Sequence, residues 1–389
     1  MRQVAIIGIG QTKVDEHWNK SLRELAIEAI GCALADSARE SVDGLFVGNM
    51  LSGSLARQEN LAALIADWVG FKGIETIKVE SACSSGGSAL RAGIIAVASG
   101  ELESALVVGV EKMTDARPSE TTAALATAAD ADYEIAHGLT FVGLNALIMR
   151  RYMYEYGWKH ADFAPFPIIA HQNAVTNSYA RLPFEITTTE YAAARMVADP
   201  INLLDASPIA DGAAAVLLAP LDNVVKHGKS GGHSRNVLIE ASAVATDTIA
   251  LHDRSRTTWL SAGYTSAQRA YSQAGLHPQD IDFFELHDAF SIMAVLSLEA
   301  CGFAEPGQGP RLGLEGRISR TGEIPISTFG GLKARGHPIG ATGIYQIIEV
   351  VQQLRCEAGV NQIERARIGM AQNIGGSGAT IVTHILQRI

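Results

Sequence analysis

Two periods of hydrophobic residues alternate along the first part of the chain. Val4 to Gly8 is an unbroken apolar run ending in glycine, the pattern of a strand buried on both faces. Ser21 then stands before Leu22, Leu25, Ala26, Ala29, Ile30 and Ala33, spaced as one face of a helix, with Glu24 placed to close a capping box. Val42 to Val47 predicts a second strand, Leu61 to Val69 a helix, and Ile74 to Val79 an alternating strand. Ala89 to Ser99 predicts a buried helix and Ala105 to Val110 another buried strand. Strand and helix taking turns in this way indicate a layered α/β fold.

The rhythm breaks between Glu111 and Pro208. Ala- and Thr-rich sequence, an aromatic and basic helix around Met149 to Tyr156, and an irregular passage through Pro165, Pro167 and Pro183 predict an inserted, mostly helical lid. Arg150, Arg151 and Lys159 are its candidate phosphate contacts, although each also fits a solvated helix face. Strand character returns at Asp211 to Pro220, and the glycine-rich, basic run Lys226 to Arg235 predicts a linker. Alternation then restarts: strands at Val237 to Val244 and Ile281 to Leu286, helices around Ala267 to Ala274, Ala294 to Ala300 and Tyr345 to Leu354. Pro325 to Thr328 leads into a glycine-rich turn, and strands at Ile368 to Met370 and Ala379 to Ile385 close the chain. The repeated order implies a duplicated α/β unit. The expected domains are 1–111 with 209–225, an inserted 112–208, and 236–389.

Composition narrows the function classes. A net charge of -10 argues against a general nucleic-acid or membrane-surface role, both of which need basic patches. Four cysteines without a CxxC pair suggest neither a disulfide framework nor a zinc site, and fit a reducing compartment. With no signal-like N-terminus and no apolar run of membrane-spanning length, a cytoplasmic protein is expected. Gly8-Ile-Gly10 lacks the third glycine of a dinucleotide fingerprint and is discounted.

Candidate chemistry sits at the junctions. Glu80-Ser-Ala-Cys83-Ser-Ser-Gly-Gly places a thiol between a strand and a helix N-terminus, where unpaired amides and the helix dipole favour its ionisation. Taken alone, such a cysteine is more often structural. Three loop motifs of the second half change that balance: Glu285-Leu-His287-Asp288-Ala289-Phe290, Phe329-Gly-Gly-Leu-Lys-Ala-Arg-Gly-His337-Pro-Ile-Gly-Ala-Thr-Gly343, and Asn373-Ile-Gly375-Gly376-Ser-Gly378.

Together these motifs resemble the thiolase superfamily, in order and over nearly the whole chain, nearest to archaeal acetyl-CoA acetyltransferases and the thiolase of sterol carrier protein. The resemblance implies a thiolase-like duplicated five-layered α/β fold with an inserted loop domain. It implies that Cys83 takes an acyl group from acyl-CoA, with His337 accepting its proton. Backbone amides of Cys83 and Gly375 would form one oxyanion hole, His287 and His337 the other. Acetyl-CoA or another coenzyme A thioester would be the substrate, with no permanently bound cofactor and no metal. The expected activity is acyl-CoA C-acyltransfer, by Claisen condensation or thiolysis. Two departures concern one job: Asn373 stands where related enzymes carry a second cysteine, and Ala289 where the HDCF branch carries it. His287 itself and His137 of the lid are the candidates for a displaced acid/base, and Asn373 and Asp288 are counted with Cys83, His337, His287 and Gly375 as catalytic-site residues. An acyltransferase or lyase with a non-CoA acceptor, and a non-catalytic scaffold subunit, are the alternatives. Implied partners are a second copy, as homodimer or homotetramer paired through Ala105 to Val110, a small OB-fold and zinc-ribbon protein, and a hydroxymethylglutaryl-CoA synthase.

Overall fold

The computed structural model describes residues 2–225 and 235–389, so the predicted linker, but for Arg235, lies outside the described residues. The first half runs β1 (Val4–Gln11), α1 (Leu22–Ser37), β2 (Gly44–Gly48), α2 (Leu61–Val69), β3 (Glu75–Val79), α3 (Ser85–Ser99) and β4 (Ala105–Glu111). The insertion holds α4 (Pro118–Ala126), α5 (Phe141–Tyr156), α6 (Pro165–Ala174), α7 (Thr188–Ala193) and a small hairpin, β5 (Met196–Ala198) and β6 (Ile201–Asn202). There follow β7 (Gly212–Pro220), α8 (Leu221–Val225), β8 (Val237–Thr246), α9 (Ser261–Ala274), β9 (Phe283–Glu285) and α10 (Ser291–Ala300). The chain closes with α11 (Gly309–Leu314), α12 (Ile339–Leu354), β10 (Ile368–Gly375) and β11 (Thr380–Arg388).

The helix starts follow their caps. The Ser21 hydroxyl accepts from the Glu24 amide while the Glu24 carboxylate accepts from the Ser21 amide at 2.7 Å, the predicted capping box. β4 and β7 are buried along their whole length, as their unbroken apolar runs require.

Duplication is visible in the sheet, whose order is β3-β2-β4-β7-β1-β8-β11-β10-β9. In the first half β1, β7 and β4 are antiparallel neighbours, and β4, β2 and β3 run parallel. In the second half β8, β11 and β10 are antiparallel, β10 and β9 parallel, and Phe284 bridges in parallel to Ile326. The Pro325 to Thr328 segment thus contributes one bridge where the first half has a full strand. β1 and β8 join the halves through the pairs Val4 with Ile239 and Ile6 with Val237.

α3 and α12 pack against each other between the halves, in a core holding Leu90, Val107, Ala341 and Ile344. α1 and α2 cover the outer face of the first half. α9 and α10 cover that of the second, where α5 of the insertion joins them. The insertion therefore leaves the first half and roofs the second, so a cavity beneath it draws residues from both.

Ala105 to Val110 does not offer an edge to another copy. β4 is hydrogen-bonded to β2 on one side and to β7 on the other. The edge of this half is β3, whose Ile77 is 43% exposed. No helix among the described residues is long and apolar enough to cross a membrane.

Candidate active site

Cys83 sits on a tight elbow between β3 and α3. Ala82 before it has φ +53°, a left-handed conformation costing a non-glycine residue about 1 kcal/mol. Serine hydroxyls lock the turn: Ser84 Oγ donates to the Ser81 carbonyl and Ser85 Oγ to the Ala82 carbonyl, both at 2.6 Å. Glycine is required behind the elbow, because a Cβ on Gly86 would lie 2.8 Å from the Gly340 carbonyl and one on Gly343 would lie 2.4 Å from the Gly87 amide. These contacts bring α3 against the start of α12, where His337 stands.

Cys83, His287, His337 and Gly376 line one chamber of about 410 Å³. Its other walls are mostly apolar, including Met113, Leu125, Phe141, Phe290, Met293 and Ile374. The two imidazoles meet edge-on, with ring centroids 5.0 Å apart.

Hydrogen bonds assign different jobs to the two rings. Thr342 Oγ1 donates to the Pro338 carbonyl at 3.1 Å, so it accepts from His337 Nδ1–H at 2.7 Å and leaves Nε2 as the free basic nitrogen. At the other ring, the Gly87 amide donates to Asn373 Oδ1 at 3.2 Å. This fixes the amide orientation, and Asn373 Nδ2 then donates to His287 Nδ1 at 3.1 Å. His287 carries its proton on Nε2 and is a donor. Burial holds both rings neutral, His337 down to about 3 with Arg335 adding to the effect, and His287 well below the ordinary histidine value.

The thiol departs from the sequence expectation. Cys83 is half-buried, and desolvation pushes it up to about 12, with the Glu111 and Glu80 carboxylates adding to the rise. The amides of Gly376 and of Cys83 itself pull the other way and do not offset burial. The second amide facing the sulfur is thus that of Gly376, which takes φ +61°. Gly375 is the last ladder residue of β10, pairs with Thr380, and packs against the Ser81 carbonyl.

Asn373 and Asp288 stand behind the chamber wall. Asn373 links α3 to His287, as above. Asp288 accepts from the Leu332 amide at 2.7 Å and from Ser327 Oγ at 3.3 Å, which holds the turn leading to His337. His137 lies in a separate depression with Tyr133 and His252, outside the chamber. Arg150 is paired with Asp199, Arg151 with Glu155 at 2.6 Å, and Lys159 is exposed; none lines the chamber. Ala289 does line it, and among the described residues Cys83 is its one cysteine. Cys301 is buried elsewhere, accepting from Gln372 Nε2 at 3.2 Å, while Cys32 and Cys356 are exposed.

Three sets of supporting residues have structural roles that the sequence did not disclose. Glu111, held up to about 7 by burial, accepts from the amides of Met50, Leu51 and Gly340 and from Asn49 Nδ2, tying the first half to the start of α12. Beneath the histidines lie Glu285, Lys333, Arg335 and Glu349, with Arg335 and Glu349 2.6 Å apart. Gln346, Glu349 and Gln353, polar residues at helical spacing in an otherwise apolar helix, were the available signal. At the neck of the insertion, Asp211 accepts from the amides of Met113 and Thr114 and pairs with Lys112 at 2.8 Å.

Over nearly its whole length the chain is similar to known proteins. Residues 4–222 match the family model "Thiolase, N-terminal domain", and residues 243–388 match "Thiolase C-terminal domain-like". The chain is 47% identical over 390 residues to an acetyl-CoA acetyltransferase of Methanothermobacter thermautotrophicus, covering 100% of both. It is 32% identical to human sterol carrier protein 2, over 98% of this chain and 72% of that one. In fold it is similar to the solved Ltp2-ChsH2(DUF35) aldolase, with a TM-score of 0.86, 24% identity, and coverage of 99% of this chain and 98% of that chain.

Proposed function

Because this chain belongs to the thiolase family and is an acyltransferase of that type, we propose that it transfers an acyl group, acetyl in the simplest case, from coenzyme A through a thioester on Cys83. The observation that carries this reading is the shared chamber, with a basic nitrogen of His337, a donor nitrogen of His287 and the Gly376 amide around one thiol.

In the first half-reaction the Cys83 sulfur attacks the thioester carbonyl carbon as its proton passes to His337 Nε2. The amides of Cys83 and Gly376 receive the developing oxyanion. The tetrahedral centre then expels the CoA sulfur, which takes the proton back from His337, leaving a neutral acyl-enzyme. In the second half-reaction the α-carbon of another acyl-CoA, having given up a proton, attacks the acyl-enzyme carbonyl; the carbon–sulfur bond to Cys83 breaks, the sulfur takes that proton, and a 3-ketoacyl-CoA leaves. In reverse the Cys83 sulfur cleaves the 3-ketoacyl-CoA, and free CoA then takes the acyl group from Cys83. His287 Nε2–H donates to the enolate oxygen. With His287 committed as a donor, His137 outside the chamber and Ala289 without a sulfur, His337 Nε2 is the group left to take the α-proton, so one base serves both halves. The name of the 47% identical acetyl-CoA acetyltransferase supports this choice of reaction.

Thiolysis of acetoacetyl-CoA by free CoA tests it. Turnover lost in His337→Ala is the expected result, and absence of turnover in the wild type sinks the carbon–carbon step. Ala289→Cys is expected to raise that rate by supplying a second acid/base, an effect worth ~10² to 10⁴-fold where such a group acts. We also propose a homo-oligomer paired through the free edge of β3, and a small OB-fold and zinc-ribbon partner. The DUF35 named in the Ltp2-ChsH2 aldolase supports the search for that partner.

A further inference from the structure

The base of the acyl-transfer steps stands on a short loop. His337 lies between the turn Gly331–Arg335 and the first residue of α12, Ile339, with Gly336 and Pro338 on either side. Gly336 takes φ +108° and ψ 168°, a region essentially reserved for glycine, and such a backbone persists only where its surroundings over-determine it. After His337 the ties are local. The Pro338 carbonyl accepts from the Ala341 and Thr342 amides, both at 2.9 Å, and Thr342 also holds His337 Nδ1. Before His337 they come from further away. The Arg335 carbonyl accepts from the Arg181 amide of the insertion at 3.0 Å, and the Gly336 carbonyl accepts from Arg335 Nη1 at 3.0 Å.

Arg335 can hold that carbonyl because its own head group is held. It is buried, with Nε 2.6 Å from Glu349 Oε1 and the guanidinium carbon 4.9 Å from the centroid of the Tyr345 ring. Tyr345 and Glu349 stand one turn apart on α12, so the side chain ties the loop to the helix that follows it. The Tyr345 hydroxyl in turn donates to the Thr12 carbonyl at 2.9 Å, which fixes the ring against the first half. A planar guanidinium meets a carbonyl, a carboxylate and an aromatic face together, which a single ammonium does not. Stability alone does not account for the pair, since apolar side chains of similar volume often serve as well in a buried site.

Resting on the acyl-transfer reading, we propose that Arg335, clamped between Glu349 and Tyr345, is a positioning residue for His337: it fixes the carbonyl preceding the base and so fixes where the imidazole stands in the chamber. Thr342 decides which ring nitrogen is free, and Arg335 decides where that nitrogen is. Its effect on acylation therefore passes through His337.

The test follows loading of Cys83 by acetyl-CoA, read by intact mass on the full chain, in two variants. Arg335→Met combined with Glu349→Leu removes both charges, leaves no unpaired carboxylate, and is expected to melt close to wild type. Arg335→Lys keeps a charge opposite Glu349 and is expected to fold, but cannot also hold the Gly336 carbonyl. Loading is expected to slow about tenfold in each, a part of the ~10² to 10⁴-fold that a general base supplies. Alkylation of Cys83 by iodoacetamide at about pH 9.5, where the thiolate reacts without a base, is expected to keep its wild-type rate. In a His337→Ala background the same replacements are expected to slow loading no further, because a positioning residue has nothing left to act through. Wild-type loading in either folded variant overturns the proposal. So does a loss matched by an equal loss of alkylation, or one that persists in full without His337, since either marks a merely structural role. Failure of acetyl-CoA to load wild-type Cys83 overturns the acyl-transfer reading itself, and this role with it.

Discussion

Cys83 and His337 form a neutral pair at rest. With the thiol raised to about 12 and the imidazole lowered to about 3, a resting thiolate–imidazolium pair is disfavoured. The proton therefore moves only as the carbonyl is attacked. The sign of the pH dependence follows. A depressed His337 stays a base well below the ordinary histidine value, and a raised Cys83 stays a thiol well above the ordinary cysteine value. The rate of acylation is expected to be level between about pH 5 and pH 9, and an acid limb centred near 6.5 contradicts this. For the same reason, alkylation of Cys83 by iodoacetamide, located by peptide mass, keeps rising as pH climbs past 9, without a plateau near neutrality. Thr342 holds the tautomer that leaves Nε2 free. Thr342→Val is expected to slow acylation by roughly 10²-fold, with Thr342→Ser restoring most of it, because general-base catalysis depends on that nitrogen. The helix N-terminus was legible in the sequence, but the state of the thiol was not. Desolvation and the Glu111 charge come from residues distant along the chain and outweigh the local amides.

At the scale of elements, loops aim the chemistry. Arg254 is buried and donates from Nη1 to the Ser377 carbonyl at 2.6 Å and from Nε to the Thr248 carbonyl at 3.1 Å, bracing the turn that presents the Gly376 amide to the sulfur. Arg254→Gln is expected to lower the kcat of acylation about tenfold with little change in KM, since an oxyanion donor acts mainly in the transition state. Equal losses in kcat/KM through KM alone contradict that role. Ala82→Gly relieves the left-handed strain of the elbow and is expected to raise the melting temperature slightly, by about 1 kcal/mol of stability less the entropy glycine adds to the unfolded chain. Most elements were readable: α1 from Ser21 and Glu24, α2 over its full predicted span, β4 and β7 from their apolar runs. The hairpin of β5 and β6 was not, because two or three residues carry too little periodicity to register. Nor was the Gly376 amide at the Cys83 sulfur, which depends on where the β10 ladder ends.

The whole molecule is a duplicated sheet with a roof carried across from one half to the other. The sequence order of elements implied the repeat. Which strand lies at the edge depends on pairings between distant residues, and there the reading failed: an apolar run such as Ala105 to Val110 marks burial on both faces, and β4 is an interior strand. The free edge at β3 predicts that Ile77→Lys weakens self-association in sedimentation experiments without lowering the melting temperature of the monomer. Contacts between the halves also set what could be foreseen of the site. Cys83, His287 and His337 were legible as motifs, whereas Asn49, Glu111 and the buried charges under α12 gain meaning only when the halves meet. The most direct measurement is intact mass after incubating the protein with acetyl-CoA. The account predicts a single acetyl adduct on Cys83 that is absent in Cys83→Ala and discharged by free CoA; a wild-type chain that remains unmodified contradicts it.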